Sequence, residues 1–174
     1  MPHGINKLSK PAIPCVQLYD SGTQAFTVAG EFHTWDMISF KTSDFHYKAD
    51  DDRIMVHRPS TGYYEITFEC SFTKDGAGLG TATTQIYKNG VAIDGAIAFG
   101  CAYDTGQGQA SCACMTLHFM LYLNGRDYIQ VKTTASDDID SVAETSRLLI
   151  KFIPTRGWNN NAAGNINYRG EVMR

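Results

Sequence analysis

Apolar and polar residues alternate along residues 62–73, GYYEITFECSFT, where every second position from Tyr64 to Phe72 is apolar. A period of two is the period of a β-strand, because successive side chains of a strand point to opposite faces of a sheet. One face of this strand is therefore predicted to be buried and the other to be exposed to solvent. Residues 114–123 repeat the pattern, with five apolar side chains on one face: Met115, Leu117, Phe119, Leu121 and Leu123.

Shorter runs of the same kind predict further strands along the chain. They lie at residues 53–58, 81–88, 91–101, 128–134 and 146–153, and a looser alternation at residues 25–40 predicts strands broken at Gly30. Asn89-Gly90 and Asn124-Gly125 follow extended runs, and Asn-Gly in that position is a strong hairpin signal. Residues 74–80, residues 103–109 and the acidic residues 137–140 are predicted loops. Because no stretch keeps a helical period over three turns, the pattern predicts an antiparallel sandwich or barrel.

The two ends of the chain differ from this middle part. Residues 1–24 contain Pro2, Pro11 and Pro14 without sustained periodicity, which predicts an extended N-terminal arm. Residues 155–174 are polar and rich in asparagine, which predicts an extended C-terminal tail. With 174 residues in total, the sequence predicts a single β domain at residues 25–154 between two arms.

Composition narrows the classes of partner. Hydrophobic residues make up 43% of the chain and charged residues 19%, which is ordinary for a globular protein. The formal net charge is -3 and no run of five basic residues occurs, so neither nucleic acid nor an anionic membrane is predicted as a partner. The first fifteen residues, MPHGINKLSKPAIPC, lack an apolar signal-peptide core, and no stretch is apolar for the length of a membrane span. We therefore expect a protein that is made in a cytosol.

The five cysteines could be buried thiols, disulfide partners or zinc ligands. Cys70 falls on the apolar face of its strand and is expected to be a small buried hydrophobe. Cys112 and Cys114 are too far apart in a strand for an easy mutual disulfide, and Cys101 could pair with either of them. A zinc site is disfavoured, because the Cys-x-Cys has no second ligand pair.

No constellation of catalytic residues emerges from the sequence. The motifs GxSxG, HExxH and GxxxxGK[ST] are absent, and the five histidines are scattered, with His57 and His118 on the polar sides of their predicted strands. Gly106-Gln107-Gly108 lies in a predicted hairpin loop rather than before a helix, so it does not indicate a phosphate site. Residues 50–52 and 137–140 could offer carboxylates to calcium, but neither run fits an EF-hand. We predict no catalytic residue, no cofactor and no metal site.

Three local motifs occur in a characteristic order: Gly62-Tyr63-Tyr64 with Phe68, then Ile86-Tyr87-Lys88-Asn89-Gly90, then Leu123-Asn124-Gly125-Arg126-Asp127-Tyr128-Ile129. They resemble the Gly-x-Tyr-x-Phe strand, the YKNG hairpin and the L-x-x-G-D-x-[VI] strand entry of the globular heads of the complement and tumour-necrosis-factor-like superfamily. The third motif departs from that pattern by one inserted residue or by Arg126 in place of the acid. The resemblance covers about residues 25–153 and implies a jelly roll of two sheets that forms a tight homotrimer.

The resemblance also implies that part of the solvent-exposed face of the sheet meets other subunits. The residues that we expect at this trimer interface are His118, Met120 and Tyr122, since two large apolar side chains on the polar side of a strand favour an interface. A head of this kind with arms and no secretion signal resembles bacteriophage head decoration proteins. This resemblance implies a trimer on the capsid exterior of a virion, with the major capsid protein as its partner. The arm residues expected to contact the capsid are Ile5, Leu8, Ile13, Val16, Leu18, Trp158, Ile166 and Tyr168.

Two other functions are weighed against decoration. The chain could be the receptor- or glycan-binding head of a phage fibre, with Tyr103 in a glycine-rich loop lining a shallow site; no heptads or shaft repeats support this alternative. An enzyme of the cupin type would need clustered histidine and glutamate ligands. His57 and His118 are predicted on different strands and no His-x-His pair occurs, so an enzyme is not expected.

Overall fold

The structure is a computed structural model that describes residues 13–48, 51–57, 60–74, 76–105, 110–111, 113–136 and 139–154. In chain order, the strands of this part of the chain are β1 Cys15–Tyr19, β2 Ala25–Phe26, β3 Glu31–Phe32, β4 Met37–Lys41, β5 Phe45–His46, β6 Ile54–Val56, β7 Gly62–Lys74, β8 Gly78–Lys88, β9 Val91–Asp104, β10 Ala110–Ser111, β11 Ala113–Leu123, β12 Tyr128–Ala135, β13 Ile139–Ser141 and β14 Arg147–Phe152. Within this part of the chain, no helix is both long enough and apolar enough to cross a membrane.

The strands form two antiparallel sheets, as the alternation predicts. In the first sheet the long strands run in the order β11–β7–β14–β1–β4, while the short β13 continues the line of β14 along β7 and pairs with β2. In the second sheet the order is β10–β9–β8–β12–β6–β5, with β3 also on β12. The chain crosses repeatedly from one sheet to the other, so the fold is a jelly-roll-like sandwich.

The core lies between the sheets, where β7 supplies a complete apolar face. Five alternate side chains of β7 are fully buried: Tyr64, Ile66, Phe68, Cys70 and Phe72. Each large apolar side chain buried in this way contributes roughly 1.5–3 kcal/mol relative to exposure. In β11, Met115, Leu117 and Leu123 are buried and the other two predicted positions, Phe119 and Leu121, pack against the core in part. The period-two prediction is confirmed for both strands.

The prediction of an N-terminal arm over residues 1–24 is wrong for its second half. Cys15–Tyr19 is a strand that pairs with β14 on one side and β4 on the other. Val16 and Leu18 are fully buried in the core, so they are unavailable as contacts to a capsid. A five-residue strand between two partners needs little periodicity of its own, because neighbouring strands satisfy its backbone groups.

Two predicted loops and one predicted hairpin also differ in the structure. Asn124-Gly125 joins β11 of the first sheet to β12 of the second, so it is a crossover between sheets rather than a hairpin. The left-handed position in this turn is Arg126, with φ 82°. Within residues 137–140, Ile139 is fully buried and begins β13. The loop predicted at residues 74–80 is also shorter than expected, because β8 begins at Gly78.

The hairpin predicted at Asn89-Gly90 is confirmed. It joins β8 and β9, and both residues have positive φ, 54° and 78°, as a type I′ turn requires. Asp127 supports this turn from the neighbouring crossover, since its carboxylate lies 2.8 Å from Lys88 Nζ and accepts a 2.8 Å hydrogen bond from Asn89 Nδ2. Burial alone would raise the pKa of Asp127, but these partners hold the pKa below its ordinary value.

Candidate association surfaces

The outer face of the first sheet carries an exposed group of large side chains at one end of β7 and β11. Tyr122 lies directly across from Tyr63, and their rings meet edge to face with centroids 5.1 Å apart. The two side chains are 43% and 47% exposed, and Met120, one row further along, is 61% exposed. Ile153 follows β14 beside them, with its backbone N–H bonded to the carbonyl of Tyr63. We call Tyr63, Met120, Tyr122 and Ile153 the tyrosine patch.

Polar groups border the tyrosine patch on the same face. His118 Nε2 lies 3.5 Å from Glu65 Oε1, and His118 Nδ1 lies 3.1 Å from Thr67 Oγ1. In the strand registers, Glu65 is also opposite Lys151 and Glu69 is opposite Arg147. Opposite charges placed across neighbouring strands stabilise a sheet by a few tenths of a kcal/mol to about 1 kcal/mol. On β7 and β11, the exposed apolar residues are therefore concentrated at one end, with charged and polar residues along the remainder of these two strands.

The structure brings His118, Met120 and Tyr122 together on the outward side of β11, as the alternation predicts. Their role at a trimer interface stays a prediction. Sequence reasoning missed Tyr63, their cross-strand neighbour. The available signal was the doublet Tyr63-Tyr64, since two adjacent aromatic residues in a strand must point to opposite faces.

A second exposed apolar surface lies on β9. From Ala96 onward the inward positions of this strand hold only small residues, Ala96, Ala98, Gly100 and Ala102, while the outward positions hold Ile97, Phe99, Cys101 and Tyr103. Leu79 of β8 lies opposite Tyr103 and extends the surface. Phe99 is 74% exposed and Leu79 is 60% exposed. We call Leu79, Ile97, Phe99, Cys101 and Tyr103 the β9 stripe.

The β9 stripe reverses the usual arrangement of a half-buried strand, because its large side chains face outward. The sequence analysis ended this strand at residue 101 and placed Tyr103 in the following loop, whereas Tyr103 belongs to β9. The missed signal is an alternation of small and large apolar residues from Ala96 to Tyr103. An alternation without polar residues indicates a strand that is apolar on both faces, and only one of the two can face the core.

The tyrosine patch and the β9 stripe flank the same rim of the sandwich. β11 borders only β7 in the first sheet, and β9 is the last long strand of the second sheet. The two strands approach closely, since a Cβ on Gly100 would lie 3.5 Å from Met115 Cβ and 3.7 Å from Phe72. The small inward residues of β9 make this approach possible. The rim therefore has one apolar surface on each side.

The described cysteines are free thiols. Cys70 is buried as expected; its Sγ lies 3.1 Å from Ser146 Oγ, and burial raises the pKa of the thiol to about 12. Cys101 and Cys114 are both exposed and unpaired, so the disulfide considered between them is not formed, and Cys112 lies outside the described residues. A thiol with a raised pKa is a poor nucleophile, which makes Cys70 a packing residue.

The remaining residues singled out in the sequence are dispersed. His57 stacks against His46, with ring centroids 6.3 Å apart, beside β5 and β6 of the second sheet, whereas His118 lies on β11 of the first sheet. Over the described ranges, no three histidine, cysteine or acidic side chains converge to hold a metal ion. Among the arm residues, Ile13 is exposed at the start of the described chain. Five others lie outside the described residues: Ile5, Leu8, Trp158, Ile166 and Tyr168.

Comparisons with known proteins identify the architecture. No protein family and no curated protein matches the chain. Among solved structures, the fold is similar to three crystal structures of murine APRIL, determined at pH 5.0, 8.5 and 8.0. Each has a TM-score of 0.55 and 11% sequence identity, and each alignment covers 82% of this chain and 100% of the APRIL chain. APRIL belongs to the tumour necrosis factor family, so the chain has a tumour-necrosis-factor-like β-sandwich fold.

Proposed function

We propose that the chain is a non-catalytic head that assembles into a homotrimer and decorates the exterior of a viral capsid. The observation that carries the proposal is the pair of apolar surfaces on the two sides of one rim. Single exposed apolar residues are common on proteins, whereas contiguous groups of large ones mark interaction sites. Aromatic residues and methionine, which make up most of the tyrosine patch, are also enriched in protein interfaces.

The arrangement of the two surfaces favours a ring over a two-fold dimer. A two-fold contact uses the same surface on both copies, whereas a head-to-tail contact joins two different surfaces and closes into a ring when the rotation allows it. The tyrosine patch and the β9 stripe look out from opposite sheets of the sandwich. With the rim turned toward a common axis, we propose that the side of each copy that carries the tyrosine patch meets the side of the next copy that carries the β9 stripe. Three copies complete the ring that we propose.

The positions of the chain ends support the decoration role. The backbone N–H of Phe152 bonds to the carbonyl of Pro14, so the described fold begins and ends at one pole, beside Tyr63. Residues 1–12 and 155–174 are joined to the described fold at that pole, and a trimer would carry six such segments. Several weak contacts made together raise avidity without one strong contact. The partner that we propose for these segments is the major capsid protein, and the place of action is the capsid exterior of a virion.

The assembly is tested by placing a charge on each side of the rim. Tyr122→Glu and Phe99→Glu are each expected to convert a trimer to a monomer in equilibrium sedimentation at micromolar concentration. A buried, unpaired carboxylate at the centre of an interface costs roughly 2 kcal/mol or more, which lowers the association constant by at least about 30-fold. Val28→Glu is the matched control, because Val28 is an exposed apolar residue outside both surfaces. A monomeric wild-type protein, or a trimer that survives both substitutions, would contradict the proposed ring.

Capsid attachment is tested by removing residues 1–12, which leaves β1 intact. Wild-type protein is expected to co-sediment with shells assembled from the major capsid protein of the same virus. The shortened chain is expected to stay trimeric and to remain in the supernatant. Equal binding by both proteins would remove the N-terminal segment from the attachment site, and failure of the wild-type protein to bind any such shell would refute the decoration role.

A further inference from the structure

A polar cleft lies on the outer face of the first sheet, away from the tyrosine patch. It has a volume of about 380 Å³ and is open to solvent on one side. Five side chains line it: Gln17, Tyr19, Ser39, Glu144 and Arg147. They come from β1, from the edge strand β4, and from the turn and strand at β14. With neighbouring strands about 4.8 Å apart, β1 lies three strands, or roughly 14 Å, from β11.

Two irregularities of the backbone aim side chains into this cleft. Along β4, the register against β1 shifts between Gln17, which is opposite Phe40, and Leu18, which is opposite Ile38. Ser39 is the extra residue of this bulge, and bulges redirect side chains at sites of function. On the other side, Glu144 has φ 64°, a left-handed conformation that costs a residue with a Cβ about 1 kcal/mol or more. Such strain persists only where the surrounding structure maintains it.

Hydrogen bonds hold the strained turn in place. The backbone N–H of Glu144 bonds to the carbonyl of Asp20 at 3.0 Å, and the N–H of Asp20 bonds to the carbonyl of Ser146 at 3.1 Å. Thr145 Oγ1 donates to the carbonyl of Val142 at 2.6 Å and accepts from the N–H of Ser71 at 3.1 Å. The wall of the cleft is therefore tied to β7 and to the end of β1, and its shape exists before any ligand arrives.

The side chains that line the cleft combine hydrogen-bond donors and acceptors, and together they carry no net charge. Arg147 offers five N–H donors, the Glu144 carboxylate only accepts, and the amide and hydroxyl groups of the remaining three do both. None of the five side chains has a hydrogen-bond or ion-pair partner within the part of the chain that the structure describes. The single positive and single negative charge balance, so the cleft favours neither an anion nor a cation by charge alone.

From this geometry we infer that the cleft is a binding site for a neutral carbohydrate. Sugar hydroxyls both donate and accept, so adjacent hydroxyls match the guanidinium of Arg147 and the carboxylate of Glu144, which line the same cleft. The ring of Tyr19 offers an amphipathic surface for the sugar ring. An open cleft of this size holds one or two sugar residues, so we expect millimolar affinity for one site. Binding becomes tighter when the three sites of the proposed trimer act together.

The inference is tested with a panel of neutral mono- and disaccharides, titrated against the protein by calorimetry and by saturation-transfer NMR. At least one sugar is expected to bind the wild-type protein with a Kd in the millimolar range. Arg147→Gln and Glu144→Gln, which keep the size of each side chain, are each expected to weaken that sugar about ten-fold or more. Lys151→Gln is the matched control, since it removes a charge from the same face of β14 outside the cleft, and it should leave the affinity unchanged.

The inference would be overturned if no sugar of the panel binds, or if the bound sugar is held equally well by the Arg147 and Glu144 variants. Stronger binding of a charged sugar or of a free amino acid would refute the neutral class of ligand. The site lies on a single chain, so the monomeric Tyr122→Glu protein should bind the sugar as the wild type does at one site. Failure of sugar binding therefore leaves the proposed trimer untouched, and failure of the trimer leaves the cleft in place.

Discussion

Protonation of His33 should destabilise the fold as the pH falls. His33 is fully buried among aromatic rings, with ring centroids 4.6 Å from Phe26 and 4.7 Å from Phe68. Its Nε2 lies 2.7 Å from Thr133 Oγ1, and its Nδ1 has no hydrogen-bond partner among the described residues. Burial lowers the pKa of His33 from 6.5 to about 3, because a charged imidazolium would lose its hydration in this site.

The sign and size of the effect follow from linkage. Between about pH 6.5 and pH 3 the unfolded chain binds a proton at His33 that the folded chain does not bind. The free energy of unfolding therefore falls as the pH falls through this range, by about 1.4 kcal/mol per pH unit. Over the whole range the loss approaches roughly 5 kcal/mol, which is comparable to the entire stability of many domains. Above pH 6.5 both states are neutral at this residue and the effect vanishes.

The measurement compares urea unfolding of the wild type and of His33→Gln between pH 7 and pH 4.5, at one protein concentration. Glutamine stays neutral, so the wild type is expected to lose roughly 2–3 kcal/mol more than the variant across this range, whatever the stability of the variant at pH 7. His57→Gln is the control, since His57 is exposed, and it should follow the wild-type slope. Parallel curves for the wild type and His33→Gln would refute the argument.

Two further substitutions test the packing. Leu18→Ala should lower the free energy of unfolding in urea by about 2–5 kcal/mol, because Leu18 is a core residue of β1. The control Ile13→Ala should change it by less than about 0.5 kcal/mol, since Ile13 is exposed. Equal, small effects of the two substitutions would mean that β1 does not belong to the core. Gly80→Ala should cost about 1–3 kcal/mol, since its new Cβ would lie 2.8 Å from Ile139 Cδ1. Adding Ile139→Ala should remove most of this penalty in a double-mutant cycle, and strictly additive costs would exclude the clash.

Much of the sandwich follows from local pattern. β7 and β11 show the strand period with large residues, and Asn89-Gly90 adopts the two positive φ angles that its residues favour. Each of these features is encoded in neighbouring residues, because strand alternation and turn conformation are local properties of the chain. The inward and outward sides of β7, and the outward position of Tyr122 on β11, could be assigned for the same reason.

Other features depend on partners that are distant along the chain. β1 is a strand because β14 and β4 pair with it, and nothing in the five residues that follow Pro14 predicts those partners. Asn124-Gly125 carries a hairpin signal, yet the chain there passes to the other sheet, since pairing of β11 with β7 and of β12 with β8 leaves no place for a hairpin.

The sequence by itself determined that this protein is a β-sandwich with one wet face that carries Met120 and Tyr122. Only the tertiary structure decided that Tyr63 completes that group, that β9 turns its large side chains outward, and that Ser39 and Glu144 meet across one cleft. The physical reason is the same in each case. The alternation predicts that the two sides of a strand differ. Which side faces the core, and which residues become neighbours, is set by strand pairing between segments that are in some cases well over a hundred residues apart, as Cys15 and Lys151 are.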